Sequence, residues 1–501
     1  MQMLSRRELL ATTAASAASA QRGRKPNFVF IISDDHAGYV LGADGNSKAS
    51  TPNLDHLASQ GVRFARHYCN QPVCTPSRQS LLTGQMPHSA GVTVLRTSLD
   101  PNKPTLPKQF KAAGYRTAVF GKMHLNRPSA PGLYGFDEMM TEQDIQKAWG
   151  AIPAKRDLPQ GVGRKPRWQP FKDHARIWLN SEKLPFPRYY EEMRGTFTAN
   201  RAIDWLKLHK DDAEPFALWV SFPEPHSPYD FPIDLKDKFD PKTFEVPKVG
   251  PEDGPQVPLI FRDLTPAEKQ GIAASYYTSV SMLDRNIGDV LKALDTNNLS
   301  SNTCVVYLAD HGYCIGQHGR FEKHCGYEPA LRVPLIIRYP NKIRQGAVVT
   351  DYTEHVDVSA TITDLMGLEK LPVQHGQSLK PYLEGKKPKQ PRKQIFSQYL
   401  ENEEVFLADE RWKLIFGSGK RKRTDGYETE NPTPGRYVRL YDHKSDPGEF
   451  TNVAAKHPEV VKALEQQIQS RYRATHPDAA AEPKNLPLPE SLEFYLRPRD
   501  A

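Results

Sequence analysis

A cysteine at the start of a hydroxyl-rich segment is the clearest chemical signal in the sequence. Cys74 precedes Pro76 and Arg78, and the segment ends at Gly84. Proline in a first turn and glycine after a last turn are typical of a helix that begins beside Cys74. Such a helix start attracts anions, and Arg78 adds donors for a tetrahedral oxyanion. The pattern fits a nucleophile beside a sulfate or phosphate, although a buried cysteine at a helix cap is the alternative.

Carboxylates form a second group of candidates. Asp34 and Asp35 follow one apolar run, and Asp310 and His311 follow another. Oxygen ligands of this kind suit a hard cation such as Ca²⁺ or Mg²⁺. Aspartates at strand ends also serve as caps and turn formers, so the residues themselves leave both readings open.

The other candidates are lysines and histidines in short motifs. Lys122 and His124 lie in Gly-Lys-Met-His, His226 lies in Pro-His-Ser-Pro, and Lys323 precedes Tyr-Glu by four residues. Lysines can neutralise an anionic ester, and imidazoles can transfer protons near neutral pH. For any one of them, a solvated lysine or a hydrogen-bonded loop histidine is the alternative.

These candidates share one position relative to the predicted strands. Uninterrupted apolar runs predict strands buried on both faces, as in a parallel sheet. The runs, each with the candidates that follow it, are 28–32 (Asp34, Asp35), 117–120 (Lys122, His124), 216–220 (His226) and 305–308 (Asp310, His311). Because ligands bind at the carboxyl ends of parallel strands, the pattern predicts one site at that edge.

The alternation of strands and helices predicts an α/β fold with a large, mostly parallel sheet between helices. Beyond a basic, proline-broken linker at 386–393, short strand-like runs predict a smaller antiparallel sheet, covered by a helix at 458–473. The predicted units are a signal peptide at 1–20, a catalytic domain at 25–385, a C-terminal subdomain at 386–475 and an extended, proline-rich tail at 476–501.

The amino terminus predicts export. Arg6 and Arg7 precede a weakly apolar stretch that ends in Ala18-Ser19-Ala20, a pattern typical of a twin-arginine signal peptide cleaved near Gln21. We therefore expect a periplasmic or extracellular protein. A fortuitous basic terminus is the alternative.

Composition narrows the classes of function. The 501 residues carry a formal net charge of +8, and the five cysteines form no CxxC pair that would indicate a zinc knuckle. No apolar run is long enough to span a membrane, and no nucleic-acid motif accompanies the basic charge. The basic runs at 164–167 and 420–423 are either solvated loops or groups that attract a polyanion.

Three motifs resemble those of one family. The segment from Cys74 to Gly84 is similar to the signature of the type I, formylglycine-dependent sulfatases of the alkaline phosphatase superfamily. Gly114 to His124 resembles the second signature of that family, with Phe120 where a smaller residue is usual, and 440–452 resembles its C-terminal strand and turn. The resemblance extends over residues 25–455 and implies the family's two-domain fold.

The resemblance also implies a modified nucleophile beside a metal ion. In the family, a formylglycine-generating enzyme oxidises the cysteine, here Cys74, to Cα-formylglycine, in this case before export. The hydrated aldehyde is a gem-diol, one hydroxyl of which attacks sulfur. The cation is Ca²⁺ in preference to Mg²⁺, and the resemblance places it on Asp34, Asp35, Asp310, His311 and the modified Cys74.

The remaining roles are carried over in the same way. Arg78, Lys122 and Lys323 are expected to bind the sulfuryl group and neutralise its charge. His124 is expected to assist the nucleophile. His226 is expected to bind the ester oxygen and protonate the leaving alcohol.

The predicted function is hydrolysis of sulfate esters, with sulfated carbohydrates as the favoured substrates over aryl sulfates and choline sulfate. Specificity is expected from 150–190, 225–265 and the basic loop near 420. The alternatives are a phosphomonoester or phosphonate-ester hydrolase that uses the same centre and, in another class, a catalytically dead protein that binds sulfated glycans.

Overall fold

A computed structural model describes residues 25–160, 162, 175–421, 426–429 and 435–500. The predicted signal peptide at 1–20 lies outside the described residues. So do Arg164, Lys165 and Arg167 of the first basic run and Lys422 and Arg423 of the second.

The strands range from two to seven residues in length. In chain order they are β1 (Asn27–Ser33), β2 (Val62–Phe64), β3 (His67–Tyr68), β4 (Arg116–Gly121), β5 (Glu138–Thr141), β6 (Phe216–Ser221), β7 (Thr303–Ala309), β8 (Arg332–Val333), β9 (Leu335–Arg338), β10 (Ala347–Val349), β11 (Thr353–Glu354), β12 (Ile395–Tyr399), β13 (Glu404–Ala408), β14 (Trp412–Gly417) and β15 (Tyr437–Asp442).

Longer helices connect or cover these strands. In chain order they are α1 (Pro52–Ser59), α2 (Cys74–Thr83), α3 (Leu106–Ala112), α4 (Glu142–Gly150), α5 (Arg194–His209), α6 (Pro266–Thr296), α7 (His355–Met366), α8 (Pro458–Thr475) and α9 (Leu488–Leu496). No described helix combines the length and apolar character required to cross a membrane.

The large sheet has eight strands in the order β10-β2-β9-β7-β1-β6-β4-β5. All neighbouring pairs are parallel except the two that involve β9, which runs antiparallel to β7 and β2. The predicted large, mostly parallel sheet is therefore confirmed. A separate three-stranded sheet has the order β11-β3-β8.

The apolar sequence of β1 explains its central place in the sheet. Phe28 and Phe30 pack into a core on one face, while Val29 and Ile31 pack into a second core on the other. Side chains alternate between faces along a strand, so a strand covered on both sides must be apolar throughout. Helices α2, α3 and α7 contribute to the first core, and α1, α5 and α6 contribute to the second.

Strands β12 to β15 form an antiparallel meander, as expected for the smaller C-terminal sheet. Strand β13 was not predicted as a separate strand. Helix α8 covers the sheet, with Leu464, Ile468 and Tyr472 buried in a shared core.

The prediction of an extended tail after His476 is wrong. Helix α9 forms there, and its Leu492, Tyr495 and Leu496 are completely buried in the C-terminal core. Proline at the second helical position, Pro489, interrupts no helical hydrogen bond because the first N–H groups have no partner within a helix. The spacing of the three apolar residues gives α9 one buried face.

Parallel alignment brings the candidate residues to one edge of the large sheet. Strand β1 ends directly before Asp34, and its neighbour β7 ends directly before Asp310. Strand β4 ends before Lys122, beside β6. At Gly121, φ is +109° and a Cβ would lie 1.8 Å from the carbonyl oxygen of Ser221, so only glycine fits this close approach.

Candidate active site

Cys74 lies at the floor of a cleft. It is itself the first residue of α2 and not a residue that precedes the helix. Its Sγ lies 3.2 Å from His311 Nε2 and 3.2 Å from Lys323 Nζ. Asp34 Oδ1 is 3.5 Å away and Lys122 Nζ is 3.9 Å away. One sulfur atom thus contacts an acid, two lysines and an imidazole that come from four different parts of the chain.

The charges around Cys74 act in opposite directions on its thiol. Burial and Asp34 act to raise the pKa of Cys74, but Lys122, Lys323 and His311 outweigh them and lower it. By contrast, burial raises the pKa of Cys304 to about 12. Cys304 is a buried residue of the first core, as predicted. The environment of Cys74 therefore favours a negatively charged group.

Two overlapping sets of possible metal ligands meet at this sulfur. Within each set the ligand atoms lie no more than 4.8 Å apart; the sets are Asp34, Cys74, Asp310 and His311, and Asp34, Asp35, Cys74 and His226. The five residues predicted as metal ligands from the sequence, Asp34, Asp35, Cys74, Asp310 and His311, all belong to one or both sets. His226, which was predicted to bind the ester oxygen and protonate the leaving alcohol but not to bind the metal, belongs to the second.

Neighbouring cations distinguish the two adjacent aspartates. Burial acts to raise the pKa of Asp34, but Lys122, His226 and Arg78 outweigh it and hold this pKa well below its usual range. For Asp35, burial dominates and raises the pKa to about 7, although Lys323 opposes it. Asp35 Oδ2 has no hydrogen-bond partner among the described residues.

Arg78 lies beneath the cleft rather than along its wall. Its Nε donates to Asp310 Oδ2 at 2.8 Å, its Nη1 donates to Ser221 Oγ at 2.7 Å, and its Nη2 lies 3.6 Å from Asp34 Oδ2. Arg78 is almost completely buried and is not among the residues that line the cleft. These contacts tie Arg78 to the acids, and its predicted contact with the sulfuryl group stays a prediction.

The cleft has a volume of about 590 Å³. Six of the ten candidates from the sequence line it, namely Asp35, Cys74, Lys122, His124, His226 and Lys323. The other four, Asp34, Arg78, Asp310 and His311, are buried below. The site therefore has an ionic floor and a wall of lysine and histidine, an arrangement suited to binding and cleaving an anionic ester.

Comparison with known proteins identifies the family. Residues 26–368 match the family described as Sulfatase, and residues 316–474 match the one described as N-sulphoglucosamine sulphohydrolase, C-terminal. The first match spans more than half of the chain and includes every candidate residue.

The chain belongs to the sulfatase family.

Individual relatives agree with this result over nearly the whole chain. An N-acetylglucosamine-6-O-sulfatase of Bacteroides thetaiotaomicron is 28% identical, over 94% of this chain and 91% of its own. A phosphonate monoester hydrolase of Agrobacterium radiobacter shares the fold, with a TM-score of 0.75 and 24% identity; the match covers 91% of this chain and 97% of that one. A protein solved with D-glucosamine-2-N,6-O-disulfate also shares the fold, with a TM-score of 0.70 and 23% identity; the match covers 91% of this chain and 99% of that one.

The sulfatase is thus a sulfuric-ester hydrolase with the α/β fold of the alkaline phosphatase superfamily. Both the fold class and the reaction class predicted from the sequence are confirmed.

Two of the histidines that line the cleft, His124 and His226, have lowered pKa values, which favour their neutral forms. Burial, the largest cause, and the charge of Lys122 lower the pKa of His124 to about 3. Burial is again the largest cause for His226, and together with the charges of Lys323 and Lys122 it holds the pKa of His226 well below its usual range. His124 Nδ1 is buried without a hydrogen-bond partner among the described residues, so it can accept a proton.

Each lysine at the sulfatase floor is tied to one aspartate. Lys122 forms an ion pair with Asp34, and Lys323 Nζ lies 2.8 Å from Asp35 Oδ1. Burial acts to lower the pKa of each lysine, but its aspartate and Cys74 together with other nearby groups outweigh burial, so both pKa values are raised. Both lysines therefore remain charged, and the ion pairs hold them beside Cys74.

Several cleft residues of the sulfatase were missed by the sequence analysis. They include Glu142, Trp178, Arg194, Glu224 and Tyr427. Glu224 lies just after β6, at the same sheet edge as the other candidates, so the rule used for His226 could have found it. Trp178 and Tyr427 come from two segments predicted to control specificity.

Two further histidines near the site, His318 and His324, have separate surroundings. His324 lines the cleft. His318 instead stacks on Tyr327, with ring centroids 3.7 Å apart, and its Nδ1 lies 3.1 Å from Asp253 Oδ2. His318 therefore belongs to the support of the loop rather than to the cleft wall.

Proposed function

We propose that this sulfatase is exported and removes sulfate from a sulfated carbohydrate, with formylglycine at position 74 and a bound Ca²⁺. The observation that carries the proposal is the position of Cys74 at the cleft floor, in contact with Lys122 and Lys323 and beside the buried aspartates.

The surroundings of Cys74 suit its proposed modification. In the unmodified chain, Sγ stands in for the oxygen atoms of the hydrated aldehyde, which would supply the attacking hydroxyl. Lys122 and Lys323 each place an ammonium group within 4 Å of that position, which favours negative charge on the attacking atom. His124, with an unpartnered Nδ1, is placed in the same cleft as the group that accepts a proton.

The acids fit a hard cation. Asp35 Oδ2 is buried without a hydrogen-bond partner among the described residues, an arrangement that costs free energy unless a cation binds there. Asp34, Asp35, Asp310 and His311 would hold the ion together with position 74. The predominance of carboxylate oxygens supports a hard cation such as Ca²⁺ or Mg²⁺, and the family resemblance favours Ca²⁺. A bound cation supplies Lewis-acid polarisation of the sulfate ester.

His226 is proposed to protonate the leaving alcohol. Its Nδ1 lies 2.7 Å from the carbonyl oxygen of Ser227, which can only accept, so Nδ1 carries the ring proton. Nε2 is therefore unprotonated while the ring is neutral. A bound sulfate ester adds negative charge beside Lys122 and Lys323 and so favours protonation of Nε2. The proton can then pass to the ester oxygen as the bond to sulfur breaks.

A carbohydrate leaving group is supported by aromatic residues of the cleft. Trp178 and Tyr427 both line it. Aromatic faces pack against sugar rings. The name of the N-acetylglucosamine-6-O-sulfatase relative supports the same class of substrate. Export is supported by the twin-arginine pattern at the amino terminus.

The decisive experiment combines a mass measurement with a substrate panel. The peptide that contains Cys74 is expected to be lighter than its unmodified form, and the protein is expected to release inorganic sulfate from at least one sulfated monosaccharide. Chelation should abolish this activity, and Ca²⁺ should restore it better than Mg²⁺. Cys74→Ala should be inactive, whereas Cys69→Ala, which changes a buried cysteine outside the site, should retain activity.

Two results would contradict the proposal. An unmodified Cys74 peptide in protein made with the maturation enzyme, together with no sulfate release, would favour the glycan-binding alternative. A preference of a hundredfold or more for nitrophenyl phosphate over nitrophenyl sulfate would favour the phosphoester alternative.

A further inference from the structure

One buried carboxylate in the cleft has no role in the chemistry described so far. Glu224 is only 5% exposed, lines the cleft and has an Oε2 atom without a hydrogen-bond partner among the described residues. A buried acceptor without a partner costs free energy, so its retention calls for a ligand or a structural reason.

The local backbone holds Glu224 firmly. Its carbonyl oxygen accepts the N–H of Asp34 at 3.1 Å, which ties it to the end of β1. Its carboxylate rests against Gly195 in the first turn of α5, where a Cβ would lie 2.6 Å from Oε2 and 2.7 Å from Oε1. The absence of a side chain at Gly195 therefore makes room for the carboxylate.

Glu224 is close in sequence to His226, the residue proposed to protonate the leaving alcohol. It precedes His226 by two residues, and both line the cleft that contains Cys74 and Lys122. A second, small cavity is lined by Glu224 and Trp149 and shares Gln146, Arg194 and Asp230 with the first. Glu224 therefore lies where the two cavities meet, beside the proposed site of the leaving alcohol.

We propose that Glu224 is a specificity-determining residue that accepts a hydrogen bond from a donor on the leaving alcohol, either a hydroxyl or an ammonium group. This inference rests on the proposed carbohydrate sulfatase function. It predicts that the enzyme selects polyhydroxylated or amino alcohols over simple aryl alcohols, because only the former satisfy the buried carboxylate.

The test compares substrates that differ in this donor. Wild type and Glu224→Gln are assayed with p-nitrophenyl sulfate, which has no second donor, and with N-acetylglucosamine 6-sulfate, galactose 6-sulfate and glucosamine 6-sulfate. The ratio of kcat/KM for the best sugar to kcat/KM for the aryl ester is expected to fall at least tenfold in the variant. A fall for all sugars indicates a hydroxyl donor, and a fall confined to glucosamine 6-sulfate indicates an ammonium donor.

Two further variants separate recognition from general damage. Glu142→Gln changes another cleft carboxylate, whose oxygens accept the backbone N–H groups of Met123 and His124, and should lower kcat/KM for both kinds of substrate by the same factor. Gly195→Ala crowds the Glu224 carboxylate without removing it and should lower the sugar-to-aryl ratio as Glu224→Gln does.

The inference and the proposed function can fail separately. If wild type cleaves sugars and the ratio is unchanged in both Glu224→Gln and Gly195→Ala, the role of Glu224 is overturned while the function stands. If wild type cleaves only the aryl ester, the carbohydrate assignment is overturned, and this inference falls with it.

Discussion

Lys122 and Lys323 illustrate how single residues prepare the site for an anion. Each contacts the Cys74 sulfur and is paired with a different aspartate. Because these ion pairs exist before substrate arrives, the ammonium groups need little rearrangement when charge develops on the sulfuryl group. Arg78, bonded to Asp310, fixes the acids from below in the same way.

Glu142 has a comparable role for the cleft wall. Its carboxylate accepts the N–H groups of Met123 at 3.0 Å and His124 at 3.1 Å. His124 has a φ of +53°, a left-handed conformation that a non-glycine residue adopts only when its surroundings hold it. Glu142 is therefore a positioning residue for His124.

Replacing Glu142 with glutamine should lower kcat by about tenfold, since an amide provides only one accepting oxygen and no charge. KM should change little, because Lys122 and Lys323 still bind the ester. Steady-state kinetics with p-nitrophenyl sulfate separates the two constants. An increase in KM with kcat unchanged would show that Glu142 contributes to binding instead.

At the scale of secondary structure elements, a buried ion pair within the C-terminal subdomain also contacts the catalytic domain. Lys413 of β14 and Glu449 are each about 1% exposed, with Nζ and Oε1 2.6 Å apart. Glu449 Oε1 also lies 2.9 Å from His443 Nε2, and Oε2 accepts the N–H of Glu328 at 3.1 Å. Glu328 follows the loop that carries Lys323, so the pair supports that loop from behind.

Glu449→Gln should destabilise the protein by about 3–5 kcal/mol at pH 7, because it leaves the Lys413 charge buried without its partner. The midpoint of urea unfolding measures this loss. The double variant Lys413→Met, Glu449→Gln should recover part of it, since no buried charge then remains. A double variant less stable than the single one would contradict this explanation.

The same pair predicts how stability depends on pH. Burial acts to raise the pKa of Glu449, but Lys413 and His443 outweigh it and lower it to about 2. A carboxyl whose pKa is depressed by folding stabilises the native state above the ordinary glutamate range, and this contribution is lost as pH falls towards 2. The difference in stability between wild type and Glu449→Gln should therefore shrink between pH 5 and pH 2.

The limits of prediction from sequence are clearest at this scale. Uninterrupted apolar runs such as β1 and β7 revealed the central strands, and polar residues at their ends revealed most of the site. Helix α9 was not predicted because the prolines of the tail, including Pro489, were taken to indicate an extended chain. The position of Arg78 below the cleft was missed because it depends on Asp310, whose proximity follows from strand pairing and not from sequence spacing.

For the molecule as a whole, the formal net charge of +8 contrasts with the carboxylates of the cleft. Positive charge spread over a surface raises the rate of encounter with anions through long-range attraction. Selection between sulfate esters then depends on the cleft itself. Encounter rate and specificity are thus determined by different parts of the same chain.

The proposed export concerns the whole chain and is tested on it. Replacing Arg6 and Arg7 with lysine should keep the protein in the cytoplasm, because twin-arginine signals are recognised through this pair. Cell fractionation followed by a sulfate-release assay of each fraction measures the distribution. The exported wild type should begin near Gln21. An unchanged periplasmic fraction in the double variant would contradict the proposed signal.

The pairing of β1 has a consequence for the timing of maturation. This strand hydrogen-bonds only to β6 and β7 within its sheet, so it finds neither neighbour until synthesis has passed residue 216 and then residue 303. All ten residues of α2 are buried once the sheet is complete. A nascent chain therefore exposes Cys74 at least until its middle third has been translated, which leaves time for the proposed modification before this thiol is buried.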